Sequence, residues 1–100
     1  MVAKGYWIGR VDVHDPETYK NYVEANALAF EKYGARFLVR GGQFENPEGN
    51  SRSRNVVIEF ETYAKAVECY HSAEYKQALK IRTKAGVSEA DMVIVEGWDG

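Results

Sequence analysis

The chain has 100 residues and a formal net charge of -2, and 45% of its residues are hydrophobic. This length predicts a single domain over residues 1–100, and the composition excludes a disordered chain. The small net charge gives no reason to expect nucleic acid or an anionic membrane as a partner. Cys69 is the only cysteine, which excludes an internal disulfide, and the N-terminus lacks the apolar segment of a secretory signal. We therefore expect a soluble cytoplasmic protein.

The first part of the chain predicts a strand followed by a long helix. Lys4 to Val13 alternates with a period of two residues, as strands do. Asp15 can cap the free N–H groups of a helix, Pro16 suits the first helical position, and Gly34 suits the position after the last turn. The apolar stripe of this helix consists of Tyr19, Tyr22, Val23, Ala27, Phe30 and Tyr33, with Asn26 lying along it.

The middle of the chain predicts a β-hairpin. Ala35 to Gly42 alternates as a strand with apolar residues on both faces, and Arg54 to Phe60 repeats that pattern. Turn-forming residues are dense from Asn46 to Asn50. Because the connection is short, we expect the two strands to pair antiparallel.

The last part of the chain predicts two short helices and a final strand. The helices cover Thr62 to Tyr70 and Ser72 to about Lys84, the strand covers Asp91 to Glu96, and Gly97 to Gly100 form a tail. The order strand, helix, strand, strand, helix pair, strand is typical of ferredoxin-like βαββαβ folds. The expected class is therefore α+β, with a four-stranded antiparallel sheet.

The predicted sheet has helices on one face only, and the other face of a monomer is normally polar. Here the strands carry apolar residues on both faces, and each buried Val, Ile or Leu is worth roughly 1.5–3 kcal/mol. We therefore expect two sheets to pack face to face in a symmetric homodimer, a dimeric α+β barrel. The alternative is an amphipathic ligand that covers the open face of a monomer.

Several segments spread along the chain together resemble one known family. They are Gly5-Tyr6-Trp7-Ile8, Asp15-Pro16, Phe37 to Gly42, Arg54 to Phe60, Glu74-Tyr75 and Val95-Glu96-Gly97. The chain resembles the domain-of-unknown-function family 1330, within the dimeric α+β barrel superfamily. The resemblance implies a ferredoxin-like subunit that dimerises through its sheets, and it implies no settled reaction. The superfamily includes small monooxygenases, isomerases, dehydratases and haem-binding enzymes, whose activities would transfer by analogy only.

The candidate binding residues are polar groups at positions where the pattern predicts burial. Asn26 needs partners for its amide, which are either a ligand or a strand carbonyl, because an unpaired buried amide costs about 1–3 kcal/mol. Arg40 would present a cation that can grip a carboxylate, and Gly41 would let a ligand come close to the backbone. The alternative for Arg40 is an ion pair with Glu59.

Arg82 is the third candidate, because it lies on the apolar face of the last helix. A buried guanidinium needs a carboxylate, and Glu59 and Glu96 are possible partners. Tyr22 and Tyr75 lie on the inward faces of their helices, where they would complete a pocket between the first helix and the sheet.

His71 is the candidate catalytic residue, since it lies at the junction of two helices and a histidine can act as a general acid or base near neutral pH. A capping or surface role is the alternative. The two histidines have no further ligands at metal spacing, so we expect no metal and no cofactor.

Three functions remain open from the sequence. The first is a homodimer that binds a small anionic or aromatic metabolite in a pocket between the first helix and the sheet. The second is a cofactor-independent enzyme of the monooxygenase, isomerase or lyase type. The third is a structural or interaction protein without a pocket.

Overall fold

A computed structural model describes residues 2–98, so the end of the predicted tail, Asp99 and Gly100, lies outside them. The elements are β1 (Gly5–Val13), α1 (Pro16–Lys32), β2 (Arg36–Arg40), β3 (Arg54–Phe60), α2 (Tyr63–His71), α3 (Ala73–Arg82) and β4 (Ser88–Glu96). The strands form one antiparallel sheet in the order β2-β3-β1-β4. The predicted α+β class and ferredoxin-like order are therefore confirmed. None of the helices between residues 2 and 98 has the length and apolar character to cross a membrane.

The helices begin where side chains cap their first N–H groups. The Asp15 carboxylate accepts a hydrogen bond from the backbone N–H of Thr18, and Pro16 occupies the first turn of α1. Thr62 and Ser72 cap α2 and α3 in the same way. These capping residues separate α2 from α3 at the place where the sequence predicts a helix pair.

Three boundaries differ from the prediction by two or more residues. β2 is shorter, because the chain leaves the strand at Gly41, where φ is 71°. α3 ends at Arg82 rather than near Lys84. β4 begins at Ser88, three residues before the predicted start, because it stays paired with β1 as far as Val13.

The buried face of α1 also differs in one residue. Ala29 is fully buried, whereas Ala27, which the pattern placed on the inward stripe, is exposed. Ala29 lies seven residues after Tyr22 and three after Asn26, which puts it at the centre of the buried face. Ala27 falls at the edge of that face.

The core between the helices and the sheet is centred on Trp7. This side chain is 2% exposed, and its indole N–H donates to the carbonyl of Ala66 in α2 at 2.8 Å. Its ring meets Phe30 of α1 and Tyr75 of α3 edge to face, at centroid distances of 5.3 Å and 4.9 Å. One residue of the central strand therefore holds all three helices on the sheet.

The face of the sheet away from the helices carries one continuous apolar row. Ile8 of β1 lies opposite Val57 of β3 on one side and Val93 of β4 on the other, and Val57 in turn lies opposite Val39 of β2. We call these four residues the Ile8 row. Arg10 and Asp91 flank the row on one side. Tyr6, Glu59 and the 40% exposed Val95 flank it on the other, so the apolar surface of this face extends beyond the row.

Candidate functional site

A cavity lies between α1, α3 and the helix-covered face of the sheet. Its volume is about 50 Å³, which corresponds to a few water molecules or to one group of a small ligand. Its lining includes Arg40 at the end of β2 and Arg54 at the start of β3. The cavity is therefore at the end of the sheet where β1 and β2 finish and β3 and β4 begin.

Five of the six predicted ligand-binding residues line this cavity, and three elements supply them. Tyr22 and Asn26 come from α1, Tyr75 and Arg82 come from α3, and Arg40 comes from β2. The topology thus brings together residues that are up to 60 positions apart in the sequence.

The other two predicted residues lie elsewhere. Gly41 is not among the lining residues, and its backbone N–H donates to the carbonyl of Asn55 at 2.8 Å. His71 is exposed at the end of α2, where its ring meets Tyr70 edge to face at 5.3 Å. The cavity and the α2–α3 junction are therefore separate places in this fold.

Two tyrosines share a hydrogen bond inside the cavity. The hydroxyl oxygens of Tyr22 and Tyr75 are 2.7 Å apart, and both side chains are buried. Burial raises the pKa of Tyr75 well above its ordinary value, and it also raises the pKa of the nearby Tyr19. These phenols are therefore neutral at physiological pH. Because the pair uses one proton between its own oxygens, the second proton is free to be donated to another group.

Arg82 does not have the carboxylate partner that the sequence suggested. Among residues 2–98 it forms no ion pair, and its guanidinium carbon lies 5.6 Å from the centre of the Tyr22 ring. Burial alone would lower the pKa of Arg82, but the phenols of Tyr75 and Tyr22 outweigh burial and raise it. The side chain therefore remains a cation beside the tyrosine pair.

The prediction of Glu59 or Glu96 as partners of Arg82 is wrong because of their positions on the sheet. Glu59 faces away from the helices, where its carboxylate accepts from the hydroxyl of Tyr6 at 3.2 Å. Glu96 lies opposite Gly5, at the end of the sheet farthest from the cavity. Neither carboxylate can reach α3 from there.

Arg40 also lacks the predicted alternative partner. Its register opposite Val56, a cavity residue, places it on the helix-covered face, while Glu59 is on the other face. Its guanidinium carbon lies 4.0 Å from the centre of the Phe37 ring, which is a cation–π contact. Arg40 is exposed and lies at the mouth of the cavity.

Asn26 is buried, as the pattern predicted, with 4% of its surface exposed. None of the side-chain hydrogen bonds among residues 2–98 involves its amide, so of the two alternatives the bond to a strand carbonyl is not observed. Since the amide lines the cavity, both its donor and its acceptor are available to a ligand.

Arg54 is a cavity residue that the sequence analysis did not identify. Its Nε is buried and has no hydrogen-bond acceptor among residues 2–98. Its guanidinium hydrogen-bonds the hydroxyl of Tyr19, and the charge of Arg82 also acts on that hydroxyl, so both guanidiniums lie near this tyrosine. A signal was present, because Arg54 continues the alternation of Val56 and Ile58 on the buried face of β3.

The charges of the cavity are predominantly positive. Arg40, Arg54 and Arg82 line it, and the one lining carboxylate, Asp91, accepts a hydrogen bond from Arg52 at 2.8 Å and is 77% exposed. The polar groups that face inwards are thus mainly donors: guanidiniums, hydroxyls and an amide. Such a set fits an oxyanion or a carbonyl oxygen.

Two other kinds of chemistry find no site in the part of the chain that the structure describes. No cluster of His, Cys, Asp and Glu between residues 2 and 98 is suited to holding a metal ion. Burial raises the pKa of Cys69 to about 12, so this thiol is not a nucleophile at neutral pH.

Fold and cavity together define a ferredoxin-like α+β protein with a small, donor-lined pocket under its helices. The chain belongs to the family described as a domain of unknown function, DUF1330, which matches residues 4–98. The resemblance found in the sequence is therefore confirmed. No curated protein sequence matches the chain.

Solved structures show the same fold. The chain is similar to RPA0582, a protein of unknown function from Rhodopseudomonas palustris, with a TM-score of 0.74 and 17% identity over 100% of this chain and 86% of that one. It is also similar to SnoaB, a cofactor-independent oxygenase from Streptomyces nogalater, with a TM-score of 0.63 and 10% identity over 99% of this chain and 97% of that one. At these identities the similarity shows the fold alone.

Proposed function

We propose that this protein is a homodimer that binds a small anionic or aromatic metabolite in the cavity between α1 and the sheet. The observation that carries the proposal is the convergence of Asn26, Arg54 and Arg82 on one cavity. The Nε of Arg54 is buried without an acceptor among residues 2–98, and neither Arg54 nor Arg82 forms an ion pair with those residues. Their guanidiniums hydrogen-bond only neutral groups that the structure describes, the hydroxyls of Tyr19 and Tyr75. Buried donors without acceptors are costly, so a ligand that supplies the acceptors gains that free energy on binding.

The walls of the cavity determine the shape of the metabolite. Aromatic side chains from β1, α1, β2 and α3 surround it, which suits a flat or hydrocarbon group. The volume of about 50 Å³ is well below the roughly 300 Å³ of pockets for drug-sized ligands. The cavity therefore accommodates a compact metabolite, or the charged end of a larger one that extends past Arg40.

The proposed dimer would cover the Ile8 row. Val93 is 53% exposed, and Ile8 and Val39 are 39% and 40% exposed. Packing two such rows against each other would remove aliphatic surface from water on both subunits. The polar residues on either side of the row would then form the rim of the interface.

Ligand screening tests the proposal directly. Small carboxylates and phenols are added to the purified protein, and binding is followed by thermal shift and by ¹H–¹⁵N spectra. We expect several of them to raise the melting temperature, with the largest spectral changes at cavity residues. If none of them stabilises the protein or perturbs those signals, the proposed function is wrong.

A second candidate function is a cofactor-independent enzyme, of the monooxygenase, isomerase or lyase type. It is favoured by the similarity of the fold to SnoaB, which is described as a cofactor-independent oxygenase. An acid–base step would use His71, which lies at the α2–α3 junction and not in the cavity. Turnover that is unchanged in His71→Ala would remove this assignment. The third hypothesis, a protein without a pocket, gains no support from the donor-lined cavity.

A further inference from the structure

We propose that Arg54, held in place by Gly41, is the oxyanion-binding residue of the cavity, and that the ligand it takes is a small carboxylate. This inference rests on the proposed ligand-binding function. It deepens that function by naming the charged group of the ligand and the residue that recognises it.

The first support is the contrast between Arg54 and Arg52, which are two residues apart. The guanidinium of Arg52 contacts three carboxylates, those of Asp12, Asp91 and Glu89, at 2.9, 2.8 and 3.6 Å. Arg54 contacts no carboxylate within residues 2–98: its guanidinium hydrogen-bonds the neutral hydroxyl of Tyr19, and its Nε is buried without an acceptor. Three carboxylates therefore lie at this end of the sheet, and all three of them contact Arg52 rather than Arg54.

The second support is Gly41, which makes room for the guanidinium. A Cβ at this position would overlap Nη1 of Arg54 and would lie 3.1 Å from its Cζ. The backbone here is fixed, because φ is 71° and the N–H of Gly41 donates to the carbonyl of Asn55. We therefore assign Gly41 a positioning role: it does not line the cavity, and its lack of a side chain leaves the space that the Arg54 guanidinium occupies.

The third support is the match between the donors and a planar carboxylate. A guanidinium binds a carboxylate through two parallel hydrogen bonds, a geometry that a neutral amide cannot reproduce. Arg82 and Arg54 both lie near the Tyr19 hydroxyl, so a single carboxylate there would face two cations. The volume of about 50 Å³ restricts the deeply bound part to a few heavy atoms.

Pairs of isosteric probes test this inference. Acetate, propionate and benzoate are titrated against the ¹⁵N-labelled protein, together with acetamide, propionamide and benzamide. We expect each carboxylate to bind at least about ten-fold more tightly than its amide, since a charged hydrogen bond is worth about 1.5–3 kcal/mol. The Nε–H signal of Arg54, which is visible in the same spectra, should shift with the carboxylates.

Two variants with matched controls locate the effect. Arg54→Gln should weaken carboxylate binding about ten- to hundred-fold and leave amide binding unchanged, whereas Lys20→Gln, on the exposed side of α1, should change neither. Gly41→Ala should also weaken carboxylate binding about ten-fold. Gly49→Ala is its control, because Gly49 has the same φ of 71° with nothing within 4 Å of a Cβ.

The outcomes separate this inference from the proposed function. Equal affinities for carboxylates and amides, or carboxylate binding that survives in Arg54→Gln, would overturn the role of Arg54 while leaving a ligand-binding cavity. Binding by no carboxylate, amide or phenol would overturn both. If Arg54→Gln does not fold, the carboxylate affinities of Gly41→Ala and Gly49→Ala are compared instead, because both variants keep Arg54. Equal affinities in these two variants would overturn the role of Arg54.

Discussion

Replacing Arg54 with methionine is expected to stabilise the ligand-free protein. The arginine Nε is a buried donor without an acceptor among residues 2–98, and leaving such a group unsatisfied costs about 1–3 kcal/mol. Methionine keeps the apolar stem and fills a similar space without a polar atom. Because the rest of the guanidinium reaches the cavity, we expect the lower end of this range, a gain of about 1 kcal/mol in the free energy of unfolding.

Urea denaturation at one fixed protein concentration measures this gain. For a chain of this size, 1 kcal/mol corresponds to a midpoint shift of roughly 0.5 M urea. Arg52→Met is the matched control, since it removes the same charge from a guanidinium that contacts three carboxylates. The two substitutions should therefore change stability in opposite directions.

A carboxylate that binds in the cavity should make the wild-type protein more stable than Arg54→Met, which reverses their order without ligand. At a ligand concentration of one hundred times its Kd, the wild-type protein gains about 2.7 kcal/mol. This exceeds the gain of Arg54→Met, which responds more weakly to the ligand because it lacks the guanidinium. If Arg54→Met and Arg52→Met destabilise the protein equally, Arg54 has a structural partner, and its assignment as a ligand residue is wrong.

Three further predictions concern the sheet, the cavity and acid stability. Ile8→Glu should convert the proposed dimer into a monomer, as measured by sedimentation. Leu28→Glu, at a 64% exposed position on α1, is the control and should leave the dimer intact. If both variants remain dimers, the Ile8 row is not the interface. Gly9→Val should fill the cavity and abolish probe binding in the titrations above, because Gly9 lines the cavity. The backbone tolerates the change, since a Cβ there meets its nearest neighbour at an ordinary 3.7 Å. Gly42→Val, in open space, is the control, and equal binding by the two variants would place the ligand elsewhere. The pKa of Asp12 is below its ordinary value of 3.8, first because a backbone N–H from the loop before β3 donates to it, so its stabilising effect is present above that value and is lost as the pH falls through the folded pKa. Asp12→Asn should thus reduce the slope of stability against pH on the acid side, and an unchanged slope would contradict this.

The fold was predictable because each element carries its own periodic pattern. The alternation of Lys4 to Val13 and the capping pair Asp15-Pro16 predict β1 and α1 at nearly their observed bounds. The ends of the elements were less predictable, because pairing with a neighbour decides them. β4 starts at Ser88 since β1 continues opposite it, and no local signal near Asp91 reports that.

The cavity was predictable in part, since polar residues on apolar stripes point to it. Asn26 and Arg82 were found in that way, and both line the cavity. The ionic partners were not predictable, because charge and spacing do not tell which face of the sheet a carboxylate occupies. Arg54 was missed although it lies within the predicted strand, because a charged residue at the first position of a strand does not by itself indicate burial.

The distribution of ion pairs supports the proposal that the cavity binds an acid. The chain has 15 acidic residues against 13 lysines and arginines, so there is no shortage of carboxylates. Yet Arg40, Arg54 and Arg82 share one cavity and have no ion pair within residues 2–98, while Arg52 alone contacts three acids. If stability alone decided the ion pairs, the cavity arginines would also have acidic partners, because an unpaired buried cation is destabilising. A cavity that keeps its cations unpaired at this cost to stability is suited to a partner that brings its own negative charge.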